Sequence, residues 1–155
     1  MWSFTKPIII KNTTKLRINT FGFYALNGKS VIEFKDDSKT DSFCSFLKKI
    51  RRKNPKKKIV IVLDNFRSHK TKKAQKLAKK LKIILVFLPP YSPDLNPIEY
   101  IWKSLKRAIS PEFITSVTYF EEIIKKTFMY LTKNISFAKS WIVKFLPKKF
   151  NLLCH

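Results

Sequence analysis

The chain has 155 residues, of which 33 are lysine or arginine and 10 are acidic, so its formal net charge is +23. A hydrophobic share of 45% is enough for the core of one folded domain, and no apolar run reaches the roughly 18 residues of a membrane span. The two cysteines, Cys44 and Cys154, indicate neither a zinc site nor a disulfide framework. The charge favours a nucleic acid partner bound through its phosphates, and the alternative is a set of solvated lysine-rich faces. We expect a cytoplasmic, nucleoid-associated protein with no membrane partner.

The first third of the chain predicts a β-hairpin and a helix. Strand-like residues from Lys15 to Phe34 flank Asn27-Gly28, which is a typical hairpin turn. Asp41 to about Arg52 places its apolar residues on one helical face, and Asn54-Pro55 ends that helix.

The middle of the chain predicts a strand, a helix and a second strand. Ile59 to Leu63 is a continuous apolar run, as expected for a strand buried on both faces of a parallel sheet. Lys70 to Lys82 is an amphipathic helix with lysines on its outer face, and Ile83 to Leu88 is the next buried strand. This order gives a right-handed parallel crossover.

Three helices are predicted in the last third of the chain. Asn96 is a good N-cap for a helix that starts at Pro97 and runs to about Ile109. Phe120 to Leu131 and Phe137 to Phe145 follow as two closing helices, the last of which ends at Pro147. The fold class is therefore α/β, with a mixed sheet flanked by helices.

Two of the ten acids stand where a site would be expected. Asp64 follows a buried parallel strand, where the ligands of open α/β sheets bind, although it could also accept turn hydrogen bonds from the amides of Phe66 or Arg67. Glu99 lies in the first turn of a helix, where a capping box with Asn96 is the alternative. His69 could orient a carboxylate or contact substrate, or it could make a purely structural hydrogen bond.

These residues carry a resemblance to a known family. Asp64-Asn65, His69, the run Leu88-Pro-Pro-Tyr-Ser-Pro-Asp-Leu-Asn-Pro-Ile-Glu99 and Trp102 resemble the catalytic domain of mariner-type and insertion-sequence DDE transposases. The 34 residues between Asp64 and Glu99 agree with the spacing of the second and third acids in that family. The resemblance covers roughly residues 2–109, and more weakly at the front.

The resemblance implies a ribonuclease-H-like fold in which three carboxylates hold two Mg²⁺ or Mn²⁺ ions for DNA cleavage and strand transfer. Asp64 and Glu99 would be catalytic and metal-binding residues, with Asn65, His69 and Asn96 in support. The partner would be the DNA of the element ends and of the target. Phosphate contacts are expected from exposed basic residues, namely Lys70, Lys72, Lys73, Lys76 and Arg107.

The sequence departs from the family at the first acid. We expect the first central strand and its Asp to precede Met1, because Trp2 and Pro7 match a segment that follows that strand in the family. Residues 1–110 would then be a partial catalytic domain and residues 111–155 its C-terminal helical extension. A frameshifted downstream frame, a decayed copy and a working short protein are the three explanations.

Two functions follow as hypotheses. The first is a transposase catalytic domain, as a truncated or split-frame copy. The second is an inactive fragment that only binds DNA or dimerises, with phosphate contacts from the basic helix Lys70 to Lys82 and from the Lys-rich run Arg51 to Lys58. Either a homodimer or a partner chain that supplies the N-terminal part is expected, and we predict little or no strand cleavage by this chain alone.

Overall fold

The fold is built on a five-stranded mixed sheet with the order β3-β2-β1-β4-β5. The computed structural model describes residues 2–11 and 16–146. The strands are β1 (Trp2–Lys11), β2 (Arg17–Ala25), β3 (Val31–Lys35), β4 (Ile59–Leu63) and β5 (Ile83–Phe87). The helices are α1 (Thr40–Lys53), α2 (Lys72–Lys80), α3 (Ile98–Ile109), α4 (Val117–Leu131) and α5 (Ser136–Phe145), with 3₁₀ turns at Arg67–His69 and Pro93–Leu95.

The predicted elements are present close to their predicted positions. β2 and β3 form the hairpin around Asn27-Gly28, and their pairing is antiparallel. β4 and β5 pair in parallel and are connected by α2, as the strand-helix-strand pattern indicates. The predicted end of the last helix at Pro147 lies outside the described residues. In the described part of the chain, no helix is long and apolar enough to cross a membrane.

The central strand is where the sequence-based expectation was wrong. β1 was expected to be a later segment, with the first central strand missing. Instead β1 fills the central position itself, antiparallel to β2 from Ser3 to Lys11 and parallel to β4 from Trp2 to Thr5. Phe4 and Ile10 bury their side chains in the same core cluster, which makes this segment a strand rather than a loop.

Helices cover both faces of the sheet. On one face, α1 and α2 pack against Phe21, Phe23 and the odd-numbered residues of β4. On the other face, α3, α4 and α5 pack against Phe4, Tyr24 and Val62. Since successive strand residues point to opposite faces, Lys6 and Asp64 extend the rows of Phe4 and Val62, on the α3 side.

Gly22 of β2 allows α3 to lie close to the sheet. A Cβ atom built at Gly22 would be 2.6 Å from Cη2 of Trp102 and 3.0 Å from Cε2 of Phe128. The indole of Trp102 stacks on the ring of Phe128 with a centroid distance of 5.1 Å. Only a residue without a side chain leaves room for this pair, so Gly22 fixes the approach of α3 to the sheet.

Candidate active site

Asp64 lies directly after the end of β4 and lines a cleft. Its Oδ1 accepts a hydrogen bond of 3.4 Å from the amide of Phe66, which is the turn contact that the sequence allowed. The same oxygen lies 3.1 Å from Nδ1 of His69, but neither imidazole nitrogen of His69 makes a hydrogen bond within the described residues. Asp64 therefore has both a turn role and a place in the cleft.

His69 is fully buried beside the cleft. Its ring lies between two aromatic rings, at centroid distances of 4.2 Å from Phe43 and 5.4 Å from Phe66. Because these rings hold the imidazole next to Asp64, His69 can orient the carboxylate, whereas direct contact with a substrate would require the ring to move.

Glu99 reaches the same cleft from the first turn of α3. Its amide donates a 3.0 Å hydrogen bond to the carbonyl of Asn96, while its carboxylate forms an ion pair with the ammonium of Lys6. The capping-box alternative is wrong for this glutamate. Its carboxylate pairs with Lys6 of β1, and the amide of Asn96 donates to the carbonyl of Pro93 rather than to the Glu99 side chain.

The prediction of Asn96 as an N-cap was also wrong. α3 begins at Ile98 after Pro97, and no side chain caps it. Asn96 instead ties the cleft to the central strand, since its Nδ2 donates a 3.4 Å hydrogen bond to the carbonyl of Thr5. Its Oδ1 and the Oδ1 of Asn65 are buried and accept no hydrogen bond within the part of the chain that the structure describes.

Lys6 is the site residue that the sequence did not reveal. Thr5 of β1 is paired with Leu63 of β4, so the next residues along the two strands, Lys6 and Asp64, are neighbours on the same face. Neighbouring strands are about 4.8 Å apart. Lys6 therefore stands beside Asp64 and is paired with Glu99 in the same cleft.

The cleft has a volume of about 350 Å³, and its rim carries an exposed aromatic side chain. Tyr91 is completely exposed and has a left-handed backbone with φ of 55°, which is uncommon for a residue with a side chain. The other lining residues come from β1, from the segments that follow β4 and β5, and from the first turn of α3, namely Lys6, Asp64, Asn65, Phe66, Leu88, Pro89, Ser92, Pro93, Asn96 and Glu99.

The cleft residues do not fit a pair of divalent ions. Mg²⁺ takes oxygen ligands, and two ions held together need several carboxylates to offset their charge. Asp64 and Glu99 supply two, but the ammonium of Lys6 already neutralises Glu99. Among the described residues, no group of three His, Cys, Asp or Glu side chains could hold a metal.

The predicted phosphate-binding residues do not form one surface. Lys70, Lys72, Lys73 and Lys76 are exposed at the beginning of α2. Arg107 is exposed on α3, which covers the opposite face of the sheet. The structure therefore places the lysines and Arg107 in different layers of the molecule.

Two of these lysines already have partners. Nζ of Lys73 lies 2.5 Å from Oδ1 of Asp41, and the hydrogen bond and charge of Asp41 raise the pKa of Lys73. Nζ of Lys70 lies 5.6 Å from the centroid of the Phe87 ring. The full charge is thus more available at Lys72 and Lys76 than at Lys73.

Comparisons with known proteins identify the family and the fold. The sequence model of the DDE superfamily endonuclease family matches residues 5–120. No curated protein matches the chain in a sequence search. Among solved structures, the Mos1 transposase catalytic domain with raltegravir and Mn superimposes with a TM-score of 0.76 at 17% identity, over 99% of this chain and 80% of the other.

Two further structures show how far the likeness extends. The Mos1 paired-end complex with the left transposon end has a TM-score of 0.73 and 16% identity, over 99% of this chain but 54% of the transposase chain. The catalytic core domain of BIV integrase has a TM-score of 0.59 and 15% identity, over 84% and 82% of the two chains. At these identities, the structural matches establish the ribonuclease-H-like fold.

Proposed function

The chain belongs to the DDE superfamily endonuclease family, and from that premise we propose that it is the catalytic domain of a mariner-type DNA transposase. Its substrate would be DNA, which also suits the net charge of +23. The observation that carries the proposal is the meeting of Asp64 and Glu99 at one cleft, although 34 residues separate them in sequence.

The cleft residues have distinct roles in this proposal. Asp64 and Glu99 are the second and third acids of the catalytic set, and His69 orients Asp64 from its buried position. Asn65 and Asn96 line the cleft, and their buried amide oxygens accept no hydrogen bond from the described residues. Tyr91 offers an exposed ring on which a base can stack.

Lys6 explains why this chain by itself should cut little or no DNA. Family chemistry uses Mg²⁺ or Mn²⁺, and the related Mos1 domain has been solved with each of these metals. An ammonium in the place of the first acid repels a divalent ion and neutralises Glu99. The ammonium would instead attract a DNA phosphate, so the cleft would hold DNA without cleaving it.

A second function, DNA binding or dimerisation without cleavage, is favoured by the same Lys6–Glu99 ion pair. In this alternative, the chain would act on a full-length transposase by occupying its DNA or by pairing with it. The two functions predict different results when a carboxylate is placed at position 6. A metal site should appear if the chain is a catalytic domain, and no metal site should appear if it is only a binding module.

The test is the substitution Lys6→Asp, with Lys11→Asp as the control at the far end of the same strand. Mn²⁺ binding is measured by electron paramagnetic resonance, and nicking of supercoiled plasmid is measured in parallel. We expect Lys6→Asp to bind Mn²⁺ at least about tenfold more tightly than the wild type, since a repulsive charge becomes a ligand. Lys11→Asp should match the wild type.

Three outcomes would contradict parts of the proposal. Mn²⁺-dependent nicking by the wild type that Asp64→Asn abolishes would show that Lys6 does not prevent cleavage. Equal Mn²⁺ affinity in Lys6→Asp and Lys11→Asp would mean that the cleft is not a latent metal site. Absence of DNA binding in every variant would exclude DNA as the substrate.

A further inference from the structure

We propose that the chain has a second nucleic acid site, which binds the phosphate backbone at the end of the sheet opposite the cleft. This site, the basic groove, lies between the segment that follows α1 and the end of α2. Its lining residues are Arg51, Pro55, Lys56, Lys57, Lys58, Lys79, Lys80, Leu81, Lys82, Ile83 and Ile84, around a volume of about 710 Å³.

The basic groove and the cleft are separated by the length of β4. Lys58 precedes the first residue of this strand, and Asp64 follows the last. Six residues of extended chain span about 20 Å, which is about the length of six base pairs at 3.4 Å each. The groove is therefore a separate surface and no extension of the carboxylate site.

Arg51 makes the groove a built structure. Its Nε donates to the carbonyl of Leu81 at 2.9 Å and its Nη2 to that of Lys82 at 2.9 Å. Its Nη1 donates to the carbonyls of Asn54 at 3.1 Å and Lys57 at 2.8 Å. One guanidinium thus joins the two lysine-rich turns, and their side chains are held on the two sides of one groove.

The backbone at Lys82 contributes to this geometry. Lys82 has a left-handed conformation with φ of 54°, as is common just after a helix end. Its amide donates to the carbonyl of Lys79 at 3.0 Å while its own carbonyl accepts from Arg51. The end of α2 is therefore fixed in the conformation that places Lys79, Lys80 and Lys82 along one side.

The charge of the groove has a single sign. Seven of its lining residues are lysine or arginine and none is acidic. Helix-dipole interactions at the end of α2 account for Lys79 and Lys80, but they do not account for Lys56 and Lys57, which lie on no helix. Like charges held together repel one another, and a bound polyanion would offset that repulsion.

A phosphate backbone fits this groove better than a small anion. The lysines lie on two sides of an open groove rather than around one point, and Arg51, the residue best suited to bidentate phosphate binding, is committed to backbone carbonyls. What remains is a row of exposed ammonium groups that includes Lys56, Lys57 and Lys80, and each of these three can meet a different phosphate. Such contacts are independent of sequence and depend strongly on salt.

The experiment compares two triple variants that remove the same charge. Lys56→Gln, Lys57→Gln and Lys80→Gln alter the groove, whereas Lys126→Gln, Lys139→Gln and Lys144→Gln alter exposed lysines of α4 and α5. Binding of a labelled 20-base-pair duplex of random sequence is measured by fluorescence anisotropy over a series of salt concentrations, with EDTA present so that no metal takes part.

We expect the slope of log K against log salt to fall by about 3 in the groove variant, one unit for each lost phosphate contact. The slope in the control variant should fall by less than about 1. Equal changes in the two variants would overturn the proposal, since they would reflect net charge alone. Circular dichroism and urea unfolding confirm that both variants are folded.

This measurement is independent of the proposed function. A groove effect without any cleavage by Lys6→Asp would support the groove and contradict the catalytic assignment. Cleavage by Lys6→Asp without a groove effect would do the reverse. Equal changes of slope with heparin and with the duplex would show a general polyanion site and would overturn the assignment to a nucleic acid backbone.

Discussion

The cleft and the basic groove lie at opposite ends of β4, and they differ in whether their charged side chains are paired with opposite charges. In the cleft, the carboxylate of Glu99 is paired with Lys6, and Asp64 lies against His69. In the groove, cations are held side by side with no acid among the lining residues. The cleft therefore contains balanced charges, so that one substitution could favour metal binding there. The basic groove contains only cations, which suit the binding of anions.

The largest expected effect comes from dismantling the groove at Arg51. Arg51→Ala leaves five carbonyls without their charged donor, and we expect a loss of about 2 kcal/mol in the free energy of unfolding. The neighbouring exposed residue provides the control, and Arg52→Ala should stay within about 0.5 kcal/mol of the wild type. Urea unfolding followed by circular dichroism measures both.

An Arg51→Ala protein that is as stable as the wild type would contradict the joining role of this guanidinium. A stable Arg51→Ala protein whose duplex binding also keeps its salt dependence would show that the lysine-rich turns hold their positions independently.

The next effect concerns Tyr91 at the cleft. Tyr91→Ala should weaken binding of single-stranded DNA by about tenfold, because stacking of one base on an aromatic ring contributes about 1–3 kcal/mol. Duplex binding should change less, since paired bases are not available to stack. Tyr130→Ala, which removes an exposed tyrosine of α4, serves as the control in the same anisotropy assay.

If Tyr91→Ala and Tyr130→Ala behave alike, the cleft does not contact bases through Tyr91. The groove triple variant should weaken single-stranded and duplex binding together, and this contrast separates base stacking at one end of β4 from phosphate contact at the other.

The smallest effect is expected at Lys73, on the cleft-side half of α2. Its ammonium is already paired with Asp41, so Lys73→Gln should lower the salt slope by clearly less than the unit expected for Lys80→Gln. Equal slopes for the two single variants would mean that the Asp41 pair does not reduce phosphate contact at Lys73.

The same pair gives a pH dependence with a defined sign. Asp41 raises the pKa of Lys73 above its ordinary value of 10.5. The stabilisation of the folded state by the Lys73–Asp41 pair is therefore complete below pH 10.5, and it is lost as the pH rises through the folded-state pKa of Lys73. The urea midpoint of the wild type should approach that of Lys73→Gln in that alkaline range, and a constant difference across the range would contradict the link.

Local patterns explain what the sequence could predict. The Asn27-Gly28 turn, the apolar run of β4 and the lysine stripe of α2 depend on neighbouring residues, and these elements appear where the patterns place them. Asp64 and Glu99 could also be predicted to meet, because the end of a buried parallel strand and the long Pro-rich motif both indicate the same edge of the sheet.

Non-local pairing explains what the sequence could not predict. The roles of Lys6 and Arg51 depend on which segments lie side by side, and periodicity within one segment carries no information about that register. β1 was misplaced because its position follows from its ladders with β2 and β4 rather than from its own composition. Asn96 was mistaken for a helix cap because it stands just before Pro97. Its hydrogen bond to Thr5 could not be predicted, since it joins residues 91 apart in sequence.

Gly22 has a consequence that reaches beyond its own strand. The residue lies in β2, outside the cleft, yet it sets how deeply Trp102 can sit, and Glu99 is one helical turn before Trp102. Any side chain at position 22 would push α3 outward and carry the carboxylate away from Asp64. The distance between the carboxylates of Asp64 and Glu99 therefore depends on Gly22, a residue that has no side chain.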